Sequence, residues 1–449
     1  MSPGIALALL GATLVDGSGG PPVPDAVLLV EEGRITCAGT AADCPLPDEV
    51  EVLRLDGSWI IPGLIDTHVH FSQTGWADGR PDALDLRAEH PYPAAVTRIR
   101  SNPEPVWRSY LCSGITTVFD VGGFPWTLDL RERALQSPMA PRISAAGPLL
   151  STRDHWLNLP AERQFLAMTD RDVVRVATDY LLVSGVDAVK VWYLRVADSA
   201  EAERQREYLE LVGRWSRGAG VPLIVHATHL EGAREAIRAG ARLLVHSVED
   251  REVDEEFLAL ARRQGVFYNP TLSVHEGYQE LRERRFDEER TDVRCVDPLT
   301  LELARSTREL PGGLTEAAAE RSRASGAARD GRTAANLRAV HAAGIPVVVG
   351  TDAGNPLTLH GPSIFREMEA MQEAGLTPAE VLLAATRNGA RLLGLEAVTG
   401  TLEAGKAADL VVLGADPLAD IANVREIRWV MREGRLFSRE ELAFGALPR

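Results

Sequence analysis

The sequence predicts an α/β chain: a (β/α)8 barrel with a small flanking β-sandwich built from both chain ends. Three observations predict it. Short apolar runs broken by turn residues fill the first sixty positions, longer apolar and amphipathic stretches alternate through the middle, and short strands return after residue 400. A length of 449 residues exceeds one small module and suits a large barrel with attachments.

In the N-terminal part, the runs 6–15, 26–30, 34–38 and 50–55 are cut by Asp16-Gly17, by Gly19-Gly20-Pro21-Pro22 and by Glu32-Gly33, so they read as strands of a small β unit. From residue 61 the pattern becomes that of βα units. Eight strands are expected at 64–70, 116–121, 142–146, 188–193, 223–227, 243–247, 266–272 and 347–352, each followed by room for a helix. Residues 276–332 form the largest insertion, rich in Arg and Glu, and are expected to be mostly helical over the barrel mouth. A helical stretch at 378–393 precedes strands at 409–413, 427–431 and 435–437. The expected division is therefore 1–61 with 399–449 as the composite β-sandwich, and 62–398 as the barrel.

The composition narrows the partners. Hydrophobic residues make up 45% and charged residues 25%, which fits a chain with a large core. Lys and Arg number 48 against 64 Asp and Glu, a net charge of −16 that argues against nucleic acid and leaves a small molecule as the expected ligand. No stretch reaches the roughly 20 apolar residues of a membrane span, and no basic residue precedes the apolar run near the N-terminus. Four cysteines, at 37, 44, 112 and 295, are scattered without a C-x-x-C pair, so a cytoplasmic location is expected, with a homo-oligomer an open possibility.

The chemistry concentrates at predicted strand ends. His68-Val69-His70 closes the first barrel strand, and residues two apart on a strand face the same way. Lys190, His226, His246 and Asp352 close four others, and in such a barrel the C-terminal strand ends share one face. Each alone reads as a packed histidine or a paired lysine. Together they read as a metal site whose N and O donors suit zinc and also accept manganese, iron or cobalt. Lys190 has two readings: a structural ion pair, or a neutral amine that captures carbon dioxide as a carbamate able to bridge two metal ions.

These residues resemble the amidohydrolase superfamily, in particular its binuclear subtype with a carboxylated lysine. The resemblance covers nearly the whole chain: residues 62–70 (PGLIDTHVH), 113–118 (SGITTV), 350–354 (GTDAG), 377–380 (TPAE) leading to Ala385-Thr386, and 400–413 (GTLEAGKAADLVVL). It implies that His68, His70 and Asp352 hold a buried metal, that His226 and His246 hold an outer one, and that carboxylated Lys190 bridges them. It further implies two divalent ions, zinc by preference, with a bridging hydroxide as nucleophile and Asp352 as the catalytic group that takes its proton and passes it to the leaving amine.

The expected activity is hydrolysis of an amide bond in a small substrate, such as a dipeptide or an N-acyl amino acid. Residues 268–272 (YNPTL) are similar to a subgroup with Xaa-Pro dipeptidases, imidazolonepropionase-related enzymes and relatives that cleave amide-linked mycotoxins, although Thr228 stands where many of them carry tyrosine. Lactone or phosphotriester hydrolysis by the same metal pair is one alternative, and a mononuclear imidazolonepropionase-like cyclic amide hydrolase is another. A deaminase is disfavoured because His229 occupies the position of its usual glutamate, and a scaffold without activity is disfavoured because all six ligand positions are filled. His155, Tyr193, His229 and His360 are candidate substrate-binding residues on or beside the loops of that face. Arg80, Arg87 and Arg98 are candidates for a substrate carboxylate, with surface solvation the simpler reading.

Overall fold

A computed structural model describes residues 6–155 and 157–445. The ends of the expected β-sandwich at 1–5 and 446–449 lie outside the described residues. The two chain ends meet in one eight-stranded sheet. Its order is Arg435–Ser438, Ile427–Arg432, Leu410–Leu413, Trp59–Pro62, Ala6–Leu14, Val23–Glu31 and Arg34–Gly39, with Val50–Arg54 also pairing with Ala6–Leu14. The join is antiparallel, with Leu410 opposite Pro62 and Leu413 opposite Trp59. Alternation along Leu410–Leu413 explains why this strand tolerates four apolar residues in a row. Leu410 and Val412 pack into the cluster of Leu9, Leu28 and Met431, whereas Val411 and Leu413 pack into the main core with Ile61 and Val430.

Two further sheets are parallel throughout. One contains Leu64–Val69, Ile115–Asp120 and Arg142–Ala145, and the other runs Phe165–Ala167, Leu149–Ser151, Val189–Trp192, Leu223–His226, Ala241–Val245 and Phe267–Asn269. Strands Leu64–Val69 and Ile115–Asp120 are buried at every position, as parallel strands covered on both faces must be. Seven of the eight expected parallel strands are present. The segment 347–352 instead makes single bridges, from Val347 to Tyr268 and from Ala353 to Val69. The run ends at Asp352, whose φ is +62°, and Gly350 within it lies against Asn269, where a side-chain carbon would come within 2.0 Å of Nδ2. The segment still joins the sheets: Val348 N–H donates to Tyr268 O at 3.0 Å, and Thr67 N–H donates to Val349 O at 3.0 Å. On the opposite side Asp187 N–H donates to Ala145 O at 2.9 Å.

Helices Val274–Glu283, Pro298–Ser306 and Glu316–Ala342 account for the expected helical insertion, which begins and ends somewhat outside 276–332. The stretch 378–393 is two helices, Pro378–Ala384 and Arg387–Leu393, because Thr386 leaves helical geometry at φ −133° and ψ −92°. The cysteine expectation is corrected. All four are paired, Cys37 with Cys44 and Cys112 with Cys295, the second pair 183 residues apart in sequence. Tertiary packing rather than spacing brings the second pair together, and with all four cysteines paired their usage does not support the cytoplasmic expectation. Among the described residues no helix is long and apolar enough to cross a membrane.

Candidate metal centre

The strand ends place six side chains, His68, His70, Lys190, His226, His246 and Asp352, around one cavity of about 330 Å³. His68 lies on the last turn of pleat in Leu64–Val69, and His70 follows one residue beyond it, so the expected common orientation holds. Nε2 of His70 is 3.0 Å and Nε2 of His68 is 3.2 Å from Asp352 Oδ1, while Nε2 of His246 is 3.9 Å from Asp352 Oδ2. The rings of His226 and His246 are 4.4 Å apart, and those of His68 and His246 are 5.0 Å apart. Donor atoms of His68, His246 and Asp352 all fall within 4.8 Å of one another.

Hydrogen bonds outside the cluster fix how these donors point. His70 Nδ1 donates to Gly122 O at 2.7 Å, since a carbonyl only accepts, and its Nε2 lone pair therefore faces the cavity. His246 Nδ1 shares a 2.6 Å hydrogen bond with Thr271 Oγ1. Asp66, fully buried, accepts from Thr351 Oγ1 at 2.7 Å, Thr351 N–H at 3.1 Å and His68 N–H at 3.2 Å, tying the first strand end to the turn that carries Asp352. His246 and Asp352 both adopt positive φ, +72° and +62°, a conformation that costs a non-glycine residue about 1–3 kcal/mol and collects at functional sites. Asn355 holds the second of these turns, donating from Nδ2 to Asp352 O at 2.9 Å while its Oδ1 accepts from Tyr278 OH at 2.7 Å and from Arg80 Nη1.

The protonation states suit metal ligands. Burial pulls His68 down to about 4 and draws His226 and His246 well below the ordinary imidazole range. Burial pushes the Asp352 carboxyl up, but His68 and the other imidazoles outweigh it and hold the group well below the usual carboxylate range. Burial also draws the Lys190 amine down to about 7, and Lys190 forms no ion pair among the described residues. The donor set fits a cation on a further ground: Nε2 of His68 and Oδ1 of Asp352, 3.2 Å apart, are buried without a hydrogen-bond partner. Lone-pair atoms left so close together would each cost about 1–3 kcal/mol, a cost that a divalent cation among them removes.

Of the four candidate substrate-binding residues His155, Tyr193, His229 and His360, His155 lines the cavity, against Phe165 and Trp192 with ring centroids 4.9 and 5.5 Å away. Tyr193 turns away because strand alternation sends Lys190 and Trp192 inward; its hydroxyl donates to Glu235 Oε2 at 2.8 Å. His229 is the residue before helix Leu230–Ala239 and lies outside the lining, where Thr228 stands instead. His360 is buried between Tyr110 OH at 2.7 Å and Gln73 O at 2.8 Å, also outside the lining. Arg98 faces Asp78 and Arg87 faces Asp85, whereas Arg80 reaches the cavity wall. Sequence reasoning missed Trp192, Glu249, His275, Tyr278 and Asn355. Trp192 was within reach, two positions past Lys190 on one strand. His275 and Tyr278, one helical turn apart in Val274–Glu283, had no signal until the insertion's docking was known.

The profile of the Amidohydrolase family matches residues 59–437. An imidazolonepropionase of Rhizorhabdus wittichii is 27% identical over 90% of this chain and 92% of its own length. The ochratoxinase of Aspergillus niger is 25% identical over 96% of this chain and 86% of its own. A crystal structure of a Xaa-Pro dipeptidase with bound methionine superposes with a TM-score of 0.72 at 21% identity, covering 96% of this chain and 100% of that one, a likeness of fold.

Proposed function

Because this chain belongs to the amidohydrolase family of hydrolases, we propose that it is a metal-dependent enzyme that cleaves an amide bond in a small substrate such as a dipeptide or an N-acyl amino acid. The observation that carries the reading is the convergence of four imidazoles, Lys190 and Asp352 on one cavity, with buried donor atoms unpaired. On this reading the parallel strands are walls of one closed barrel over residues 62–398, and the chain ends at 1–61 and 399–449 form its β-sandwich. Hydrogen bonds across both seams, at Thr67 and at Asp187, support that closure.

His68, His70 and Asp352 would hold one divalent cation, His226 and His246 a second, and Lys190 as its carbamate would join them. Zinc is the natural choice for these donors. Such a pair, when bound, makes water a nucleophile at neutral pH and polarises the substrate carbonyl. The protein's own work surrounds that chemistry. Gly122 and Thr271 keep His70 and His246 oriented, and Asp66 fixes the distance between the His68 strand and the Asp352 turn. The Asp352 carboxylate takes a proton from the attacking water and delivers it to the departing amine. Phe165, Trp192 and His155 give the cavity an aromatic wall that excludes water and receives an apolar substituent.

A second reading, cyclic amide hydrolysis with a single metal, draws on the compact grouping of His68, His246 and Asp352 and on similarity to imidazolonepropionase. Elemental analysis of protein grown with zinc or manganese and bicarbonate separates the two when followed by an amide hydrolysis screen of the same sample. Close to two metals per chain with turnover of dipeptides or N-acyl amino acids is the expected result. One metal per chain, with turnover confined to cyclic amides, would replace the first reading with the second.

A further inference from the structure

Beyond the proposed metal ligands, the charged groups on the cavity wall are not equivalent. Arg80 is matched within the wall: its Nε and Nη2 donate to the two oxygens of Asp82, each at 2.8 Å, and its Nη1 donates to Asn355. Glu249 is the one carboxylate besides Asp352 among the described lining residues. Its Oε1 accepts from His275 Nε2 at 2.8 Å, and no lysine or arginine pairs with it among the described residues.

The backbone around Glu249 is held from three directions. Its N–H donates to Thr228 O at 2.7 Å, its carbonyl accepts from Arg332 Nε at 2.6 Å, and the preceding carbonyl of Val248 accepts from Asn336 Nδ2 at 2.8 Å. A carboxylate so fixed, 26% exposed and turned to the cavity, is prepared for a cation rather than merely left on a loop. It also sits three residues past His246, one of the proposed ligands. In an aminoacyl amide the ammonium nitrogen is two bonds from the scissile carbonyl carbon, so a group beside the metal ligands is where that ammonium has to be met.

We infer that Glu249, oriented by His275, binds the free ammonium group of the substrate. This rests on the amide hydrolase reading and narrows it: the substrate is a dipeptide or other aminoacyl amide with an unblocked amine, and N-acyl amino acids are discriminated against. Glu249 is a specificity determinant and takes no part in bond breaking.

The test compares the metal-loaded enzyme with Glu249→Gln, which keeps the volume and a hydrogen-bond acceptor and removes the charge. A panel of dipeptides is assayed beside their N-acetylated forms, with metal content and circular dichroism checked for both proteins. The ratio of kcat/KM for free over acetylated substrates is expected to favour the free amine in the native enzyme and to fall about 30-fold in the variant, mainly through KM. Equal or better turnover of the acetylated forms by the native enzyme, or an unchanged ratio in Glu249→Gln, would overturn the inference. Calorimetric titration with a ketomethylene dipeptide isostere and its N-acetyl derivative reads the same preference without turnover. Selective binding of the free-amine isostere together with no hydrolysis of any amide would sink the proposed reaction and keep the ammonium site. Equal binding of both isosteres, or binding of neither, would sink the ammonium site.

Discussion

The floor and the rim of the cavity are built by different means. The floor residues His68, His70, Lys190, His226 and His246 sit at or just beyond strand ends whose register is fixed by parallel pairing, and Asp352 follows a segment joined to its neighbours by single bridges. The rim residues, Arg80, Glu249, His275, Tyr278 and Asn355, stand on turns and on a helix of the insertion, and each is located by hydrogen bonds to a distant part of the chain. A floor of this kind preserves chemistry because a strand cannot slip by one residue without turning every side chain away. A rim of this kind is free to alter which substrate is accepted while the floor stays in place.

The largest effect expected from breaking the floor is at Asp352. Asp352→Asn should lower kcat by about 10³-fold while the folded chain persists, since the amide keeps the shape and loses the carboxylate proposed to accept the proton. Turnover and metal content measured on one sample check this, and near-normal kcat with metal retained would remove Asp352 from the proton path. Next is Lys190→Ala, which should reduce metal content and activity together. Added acetate or propionate, filling the space of the proposed carbamate, should restore part of both. Full metal content in the unsupplemented variant would leave Lys190 as a packing residue.

Asn355→Ala sharpens the comparison, because Asn355 is the point where rim and floor touch. It removes the hold on the Asp352 carbonyl and the acceptor shared by Tyr278 and Arg80, while leaving the side chain of every proposed ligand in place. A fall of about 10-fold in kcat with unchanged metal content is expected if the strained Asp352 turn depends on the rim. An effect on KM alone would mean that the rim serves binding only.

The same contrast explains what the sequence could reveal. Strand ends announce themselves locally: an apolar run, then His68-Val69-His70, Lys190, His226, His246 or Asp352, so the floor and seven of the parallel strands could be read by alternation and chain order. The eighth, 347–352, has the same apolar signature, but it makes single bridges and ends in the +62° turn that carries Asp352. The Cys112–Cys295 link and the approach of His275 to Glu249 depend on where the insertion docks, which no local pattern encodes. His360 and Tyr193 illustrate the converse. Both bear functional-looking side chains beside the right strands, and both are spent on hydrogen bonds away from the cavity, buried ones to Tyr110 and Gln73 in one case and a part-buried one to Glu235 in the other.

Tyr193→Phe gives the smallest expected effect and the most direct check on that last distinction. The hydroxyl donates to Glu235 on helix Leu230–Ala239, on the side of the strand away from Lys190 and Trp192. Its loss should cost about 1 kcal/mol of stability, the net worth of one hydrogen bond to a half-buried carboxylate, read as a lower denaturant midpoint with an unchanged slope. kcat and KM should stay within about twofold of the native values, because the ring still fills its place and the cavity lining is untouched. A KM that rose tenfold with stability unchanged would place Tyr193 at the substrate after all, and would mean that alternation along Val189–Trp192 does not separate the chemistry of this strand from its packing.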